Sequence, residues 1–462
     1  MTVAAEPRAD EPVTAGERPA PAARRWSTPA AVALVALVVS PIVIGGLALV
    51  GETYVPMGDW AHMAFRVSQV GTRETPLVGA YSFHGFAHPG PLPFWAGAPL
   101  FRLTGDDPRA LLWTAATINV ASIAALAAVA WRRGRWPLLL ATMTLAGVLV
   151  HGLGPRLLVD LWNPYTPLLP FLLVIFLAWE AALGRRRAVV EAVLPATYAA
   201  QAHLAFVLLT LALVAWALAW HRWGGRLVAA DPPTGAAEPD AALQADEADR
   251  AVPAGSPWWR RGWAAIPRGA LVLTGVLWLP PAFDAVFDIH NPARIAWKVT
   301  HPEDFVVGLR KAPTVVGGFL RPDGPTVTGD DVASRHDIGV GADALVLLAG
   351  VAVLVVCLVV ARRRRLPDVA ALATLSLTLL VVAVQGTSQL LVPLMEYLTQ
   401  WVKLVAGVAW FTVGWTAWRV AEPSLRARGR GLAGGGWSVR AVGLAAALGV
   451  VTAAGLTWAD AT

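Results

Sequence analysis

AVVEAVLPATYAAQAHLAFVLLTLALVAWALAW, residues 188–220, decides how this chain is laid out. As one helix rising 1.5 Å per residue it would be about 50 Å long, against a hydrocarbon core of about 30 Å. Either it overshoots a bilayer or it crosses one twice. The polar Gln201-Ala202-His203 near its middle offers a place to break, and Pro195 bends the first limb. Charge chooses between the two readings. Basic clusters flank apolar runs at Arg24-Arg25, Arg132-Arg133-Arg135, Arg185-Arg186-Arg187, His221-Arg222 with Arg226, Arg260-Arg261, Arg362 to Arg365, and Arg426 with Arg428 and Arg430. Cytoplasmic loops concentrate Arg and Lys, so all these clusters should share one side. They do so only if 188–220 crosses twice, with short, tilted limbs. An inverted C-terminal half is the competing layout.

The composition places the remainder in a membrane as well. Hydrophobic residues make up 56% and charged residues 15%, with a mean hydropathy of +0.55, whereas about a quarter of a soluble domain is charged. Apolar segments long enough to span recur at 30–50, 111–131, 137–153, 165–183, 269–287, 341–361, 366–385, 401–419 and 441–458. With the two limbs of 188–220 the expectation is an all-α, polytopic plasma-membrane protein of about 11 transmembrane helices, its N-terminus cytoplasmic. Cys357 is alone, which excludes a disulfide framework and a cysteine-ligated zinc site. The net charge of +6 lies in span-flanking clusters rather than an aromatic-interleaved patch, so no nucleic-acid partner is expected.

Four regions follow. Residues 1–28 read as a disordered cytoplasmic tail, 29–227 as an N-terminal transmembrane module with an outer loop at 51–110, 228–257 as an acidic, Pro/Ala-rich cytoplasmic loop without an apolar face, and 258–462 as a C-terminal module with an outer loop at 288–340.

The first outer loop carries the chemistry. In MGDWAHMAFR, 57–66, and the residues just after it, Trp60, Met63, Ala64 and Val67 recur at helical spacing opposite Asp59, His62, Arg66 and Gln69, the pattern of an interfacial amphipathic helix. Beyond it, Pro89, Pro91, Pro93 and Pro99 argue against one regular helix over 85–100.

The order of a span, a Gly-Asp at its outer end, an interfacial helix and then LVGAYSFHGFAHPGPLPFWAGAPL (77–100) resembles actinobacterial multi-spanning proteins of the C-type glycosyltransferase superfamily. WNPYTPLLPFLL at 162–173, QAH at 201–203 and WLPP at 278–281 are similar to the same group. The resemblance covers about 51–290. It implies a fold like that of those enzymes and transfer of a sugar, on the extracytoplasmic face, from a polyprenyl-phosphate carrier to a glycan, glycolipid or protein acceptor. It also implies that Asp59 is the essential acid of the first outer loop. Many members show two adjacent acids where this chain has Gly58-Asp59-Trp60, which points away from a metal-dependent variant; neither metal nor cofactor is expected.

The residues themselves fit such chemistry. In an inverting displacement a carboxylate takes the acceptor hydroxyl's proton as the oxygen attacks the anomeric carbon, and Asp59 suits that task. The departing phosphate calls for cationic or hydrogen-bonding groups in a poorly hydrated site; Arg66, His88, Arg156, His203, Arg294 and Lys298 are the candidates. Each has a plainer reading. Asp59 could cap the helix it begins, and His62 could be a solvated face residue. His88 could make a structural hydrogen bond, and Arg156 could pair with Asp160. Gln201 and His203 could satisfy backbone groups freed at a break, and Arg294 and Lys298 could touch lipid headgroups. Of the 22 tryptophans, Trp60, Trp95, Trp162 and Trp297 lie where a sugar could stack, while many others mark membrane borders. A secondary transporter or lipid-linked-sugar flippase is the alternative. It should carry midplane acids and related halves, which this sequence does not display.

Overall fold

A computed structural model describes residues 22–228, 266–287, 290–301, 305–330 and 341–431. The acidic loop at 228–257 and the apolar segment 441–458 lie, apart from Val228, outside the described residues.

The described chain is helical, with isolated β-bridges but no strand. In order the helices are α1 (Ala22–Ala48), α2 (Asp59–Ser68), α3 (Leu92–Leu103), α4 (Arg109–Leu153), α5 (Pro155–Leu158), α6 (Leu168–Ala182), α7 (Arg186–Ala202) and α8 (Leu204–Val228). There follow α9 (Arg268–Phe287), α10 (His290–Thr300), α11 (Gly308–Leu320), α12 (Pro325–Thr328), α13 (Asp343–Arg364), α14 (Pro367–Ser388) and α15 (Gln400–Gly431). Among the described residues, 6 helices are long and apolar enough to cross a membrane: α1 from Thr28, α4, α8 up to Gly224, α9, α13 and α14. The expected tail is shorter than read, because α1 already begins at Ala22.

Two breaks follow from sequence. Continuous helix over the 45 residues of α4 would run roughly 68 Å, far beyond one hydrocarbon core. Its backbone leaves helical geometry at Arg135, inside the Arg132-Arg133-Arg135 cluster, at φ 53° and ψ −141°. The stretch 188–220 breaks at His203, which is extended at φ −150° and ψ 135° between α7 and α8. Pro195 sits inside α7 without ending it.

Helix α6 is the centre of the bundle. It is apolar all round, which suits a helix surrounded by protein, and Leu168 to Leu177 are all buried, as are Trp179 and Glu180. It packs on α4, α7, α8, α14 and α15. Helix α9 is the opposite case: it packs chiefly on α7 and leaves Leu271, Val276, Leu279 and Phe283 exposed, a flank suited to lipid.

One end of α6 is locked by charge. Glu180, 2% exposed, accepts from Arg132 Nε at 2.9 Å and lies 3.6 Å from Arg185 Nε. Arg132 also binds Glu191, and Arg419 binds Asp368, whose second partner is the Trp415 indole at 3.0 Å. Pairing of this kind offsets the desolvation that burial imposes on a carboxylate. The expected short, basic connections between apolar helices are therefore ion-paired joints at this end. At its other end α6 follows Trp162, which meets Asp59 of α2 and Tyr397 just before α15.

Candidate functional site

Helix α2 forms as its periodicity requires, with Met63 and Val67 buried against α3 and α4 in a small core with Phe94, Phe101 and Leu111. Gly58 precedes it at φ 56°, a left-handed conformation open to glycine and strained for other residues, so it can turn the chain sharply into Asp59. Asp59 is exposed, and no side chain caps α2. Asp59 sits in the first turn of α2, where the helix dipole favours an acid. Its Oδ2 accepts the indole N–H of Trp162 at 3.2 Å.

The bracing is reciprocal. Trp60, next to Asp59, donates its indole N–H to both oxygens of Asp160 at 2.9 and 2.8 Å, and the Trp162 backbone N–H adds a bond of 2.8 Å. The two indoles lie 5.1 Å apart, and Trp162 also meets Tyr165 at 5.0 Å and Tyr397 at 4.9 Å. Just before Asp160, Asn119 of α4 donates to the Leu158 carbonyl at 2.7 Å and fixes the chain's path. The result is a patch with two carboxylates on its edge and four aromatic rings across it.

Burial shapes its electrostatics. Asp160 is held above the usual carboxylate range by loss of water, an effect the Trp162 amide and Trp60 indole oppose. Tyr54 is pushed up to about 12 by burial and by Asp160's charge. Tyr397 is raised by burial and by Asp59. Both phenols are therefore protonated at neutral pH.

The remaining sequence candidates separate. Arg66 is half-buried and donates to Gln69 Oε1 at 2.8 Å, and Gln69 in turn donates to Glu74 at 2.9 Å; burial lowers the guanidinium and Glu74 raises it. It braces the end of α2. His62 is exposed, as a solvated face residue would be. Arg156 is exposed on α5, and the ion pair expected with Asp160 does not form, because indole and backbone donors occupy that carboxylate.

His88 and His203 come together, rings 4.6 Å apart. Segment 79–88 is a tight hairpin: Gly79 N–H donates to the His88 carbonyl and His88 N–H to the Ala80 carbonyl, each at 2.8 Å. Buried His88 then accepts the Leu204 N–H through Nδ1 at 3.2 Å, and His203 accepts the Ala205 N–H at 3.3 Å. These imidazoles satisfy the first amides of α8, which no carbonyl of that helix reaches. Burial, then His203 and His84, hold His88 well below its ordinary 6.5, so it is a neutral acceptor rather than a cation for phosphate.

Gln201 completes this joint. Fully buried, it donates to the Leu277 carbonyl at 2.8 Å and accepts the Leu92 N–H at 3.3 Å, while its own carbonyl takes the Gly90 N–H at 3.3 Å. A Cβ at Gly90 would stand 2.3 Å from that side chain, so any larger residue would have to displace the Gln201 amide from its bonds. Helix α3 starts at Leu92 despite four prolines nearby: residues 85–91 are loop as expected, Pro93 sits in the first turn, where its missing N–H is not needed, and Pro99 is carried inside the helix.

Arg294 and Lys298 lie on α10, away from any ion pair with Asp59 or Asp160. Sequence reasoning missed Tyr54 and Tyr397, which carry no local signal, and Lys403, whose charge inside an apolar segment is itself a functional-site signal. Lys403 is buried and donates to the Gly152 carbonyl at 2.6 Å, at the C-terminal end of α4. Among the described residues no three His, Cys, Asp or Glu side chains form a metal-ligating group. The chain matches no family model, no curated protein and no solved structure.

Proposed function

We propose that this protein is a glycosyltransferase of the C-type superfamily, moving a sugar from a polyprenyl-phosphate donor to a cell-envelope acceptor on the extracytoplasmic face of the plasma membrane. The observation that carries this is the state of Asp59: exposed, not used as a helix cap, and oriented by the Trp162 indole beside a wall of Trp60, Tyr165 and Tyr397. Carboxylates accept hydrogen bonds from sugar hydroxyls, and aromatic faces pack on their C–H surfaces. In the reaction Asp59 takes the proton of the acceptor hydroxyl, that oxygen bonds to the anomeric carbon, and the anomeric C–O bond to phosphate breaks with its electron pair leaving on polyprenyl phosphate. The configuration inverts, and no step is routed through a metal. Asp160 acts through others: its buried carboxylate positions Trp60 and the Trp162 backbone, and hence the indole that orients Asp59.

The test is transfer from radiolabelled polyprenyl-phosphate sugars in membranes, wild type against Asp59→Asn. A general base contributes about 10²–10⁴-fold, so transfer should fall by that factor. Transfer surviving the substitution would remove Asp59 as the base. A transporter reading draws on the helix broken at His203 and on buried Lys403; no transfer from any such donor, with lipid-linked sugar moved across proteoliposomes, would favour it.

A further inference from the structure

Lys403 is 2% exposed and stands in the first turn of α15, where the positive end of its own helix disfavours a cation. Another helix offsets that. Its ammonium donates at 2.6 Å to the Gly152 carbonyl in the last turn of α4, where carbonyls lack a partner within the helix and the negative end of the dipole favours positive charge. The helices are packed tightly around this bond. A Cβ at Gly152 would stand 2.3 Å from the Thr326 carbonyl of α12, and one at Gly407, a turn further along α15, 2.9 Å from Leu145 of α4.

Both chain segments joined by this bond lead to the Asp59 patch. Just past Gly152 come α5, Asp160 and Trp162, and just before Lys403 comes the single turn Glu396–Leu398, which carries Tyr397. Each path is hydrogen-bonded along its length. On the first, the Leu158, Val159 and Asp160 N–H groups donate to the Gly154, Pro155 and Leu157 carbonyls at 3.2, 3.1 and 3.3 Å, and Asn119 holds the Leu158 carbonyl. On the second, the Thr399 N–H and hydroxyl both donate to the Glu396 carbonyl at 2.9 Å, the Trp401 indole donates to the Leu398 carbonyl at 2.8 Å, and the Gln400 amide donates to the Glu396 carboxylate. Their far ends meet. The Tyr397 ring lies 4.9 Å from Trp162, whose indole orients Asp59. Two stiff arms are thus closed by an aromatic contact at one end and by the ammonium at the other, so a shift at the ammonium carries through to Trp162. We propose that Lys403 is a positioning residue of this site, its bond to Gly152 setting the place of Trp162 and hence the orientation of Asp59. The placement stands on geometry; its effect on turnover rests on the glycosyltransferase reading.

The experiment uses Lys403→Met, which keeps an unbranched stem and removes the ammonium, in the purified full chain labelled with fluorotryptophan. Two fluorine NMR resonances decide it. One is Trp162, assigned by its loss in Trp162→Phe. The other is Trp179, which donates to the Asp368 carbonyl at 2.9 Å at the end of α6 far from Trp162, assigned by its loss in Trp179→Phe. Lys403→Met should shift or broaden the Trp162 resonance and leave that of Trp179 in place. An unmoved Trp162 resonance overturns the proposal, and movement of both overturns it too, because the effect is then not local. In transfer assays Lys403→Met should lower kcat about fivefold, as loss of the Trp162 donor should, with KM changed less than about twofold. Combined with Trp162→Phe it should lower kcat no further, since both act on the orientation of Asp59. Losses that multiply, to about 25-fold in the double variant, would overturn action through Trp162. If Lys403→Met does not fold, Lys403→Gln, polar but shorter, carries the same readouts. A wild type that transfers from no polyprenyl-phosphate sugar removes the transferase reading alone, since the Trp162 resonance still decides the placement.

Discussion

Trp60 and Trp162 brace two carboxylates crosswise, and replacing each by phenylalanine separates support of the fold from support of the base. Phenylalanine keeps a ring in the 5.1 Å contact and removes only the indole donor. In Trp60→Phe the loss is an N–H shared between both oxygens of Asp160, at 2.9 and 2.8 Å, on a carboxylate already disfavoured by burial. A bond to a charged group of that kind contributes about 1.5–3 kcal/mol. In Trp162→Phe the loss is one 3.2 Å bond to an exposed carboxylate that water can serve instead, about 0.5 kcal/mol of stability. Catalysis should rank them the other way. Freeing Asp59 to rotate costs about 1 kcal/mol of positioning in the transition state, or about fivefold in kcat. Trp60→Phe leaves the Asp59 bond in place. Melting temperature in detergent and transfer from radiolabelled donors, measured on both variants, should therefore give opposite orders. If Trp60→Phe, still folded, lowers transfer as much as Trp162→Phe, Trp162 is not what orients Asp59.

Gln201→Leu removes the bonds to Leu277 and Leu92 and strands the Leu92 N–H near the start of α3, costing about 2–4 kcal/mol; an unchanged thermal midpoint would mean the amide does not hold this joint. His88 titrates with a worked sign: its folded pKa is depressed, so its contribution is complete above its ordinary 6.5 and is lost as pH falls below that toward the depressed value. His88→Asn, which keeps an acceptor near Nδ1 without an ionisable ring, should flatten stability against pH below 6.5, and a slope equal to wild type would remove His88 as its source. With Cys357 replaced by alanine, an impermeant maleimide should label Phe83→Cys on intact cells but Arg187→Cys only after permeabilisation; labelling of Arg187→Cys on intact cells would overturn the assignment of faces.

Much of the frame is legible in the sequence because its signals are local. A hydrocarbon core limits helix length, so a 45-residue helical stretch and residues 188–220 had to break, and they break at the polar residues Arg135 and His203. Helix α2 and its buried Met63 and Val67 follow from periodicity alone. The site's wiring is not local. Trp162 and Asp59 are 103 residues apart, and His88 meets Leu204 across 116. Nothing within a window around His88 distinguishes a helix-capping imidazole from a phosphate ligand, and nothing near Asp160 announces that an indole rather than Arg156 will occupy it. Such identities are set by which loops the bundle brings together.

The two ends of the bundle use charge in opposite ways, and this contrast bears on the site. Around Glu180 and Asp368 every described carboxylate named has an arginine against it, which offsets the cost of burial. At the Asp59 end the carboxylates hold indoles and a backbone amide instead. Tryptophan donors orient a carboxylate without bringing a positive charge against it. Had an arginine stood where Trp162 stands, Asp59 would be just as well placed but its basicity would fall, since an adjacent guanidinium stabilises the ionised form. Trp162 orients Asp59 without placing a second full charge beside it, and for that reason Asp59 and Trp162 are the pair on which the functional reading stands.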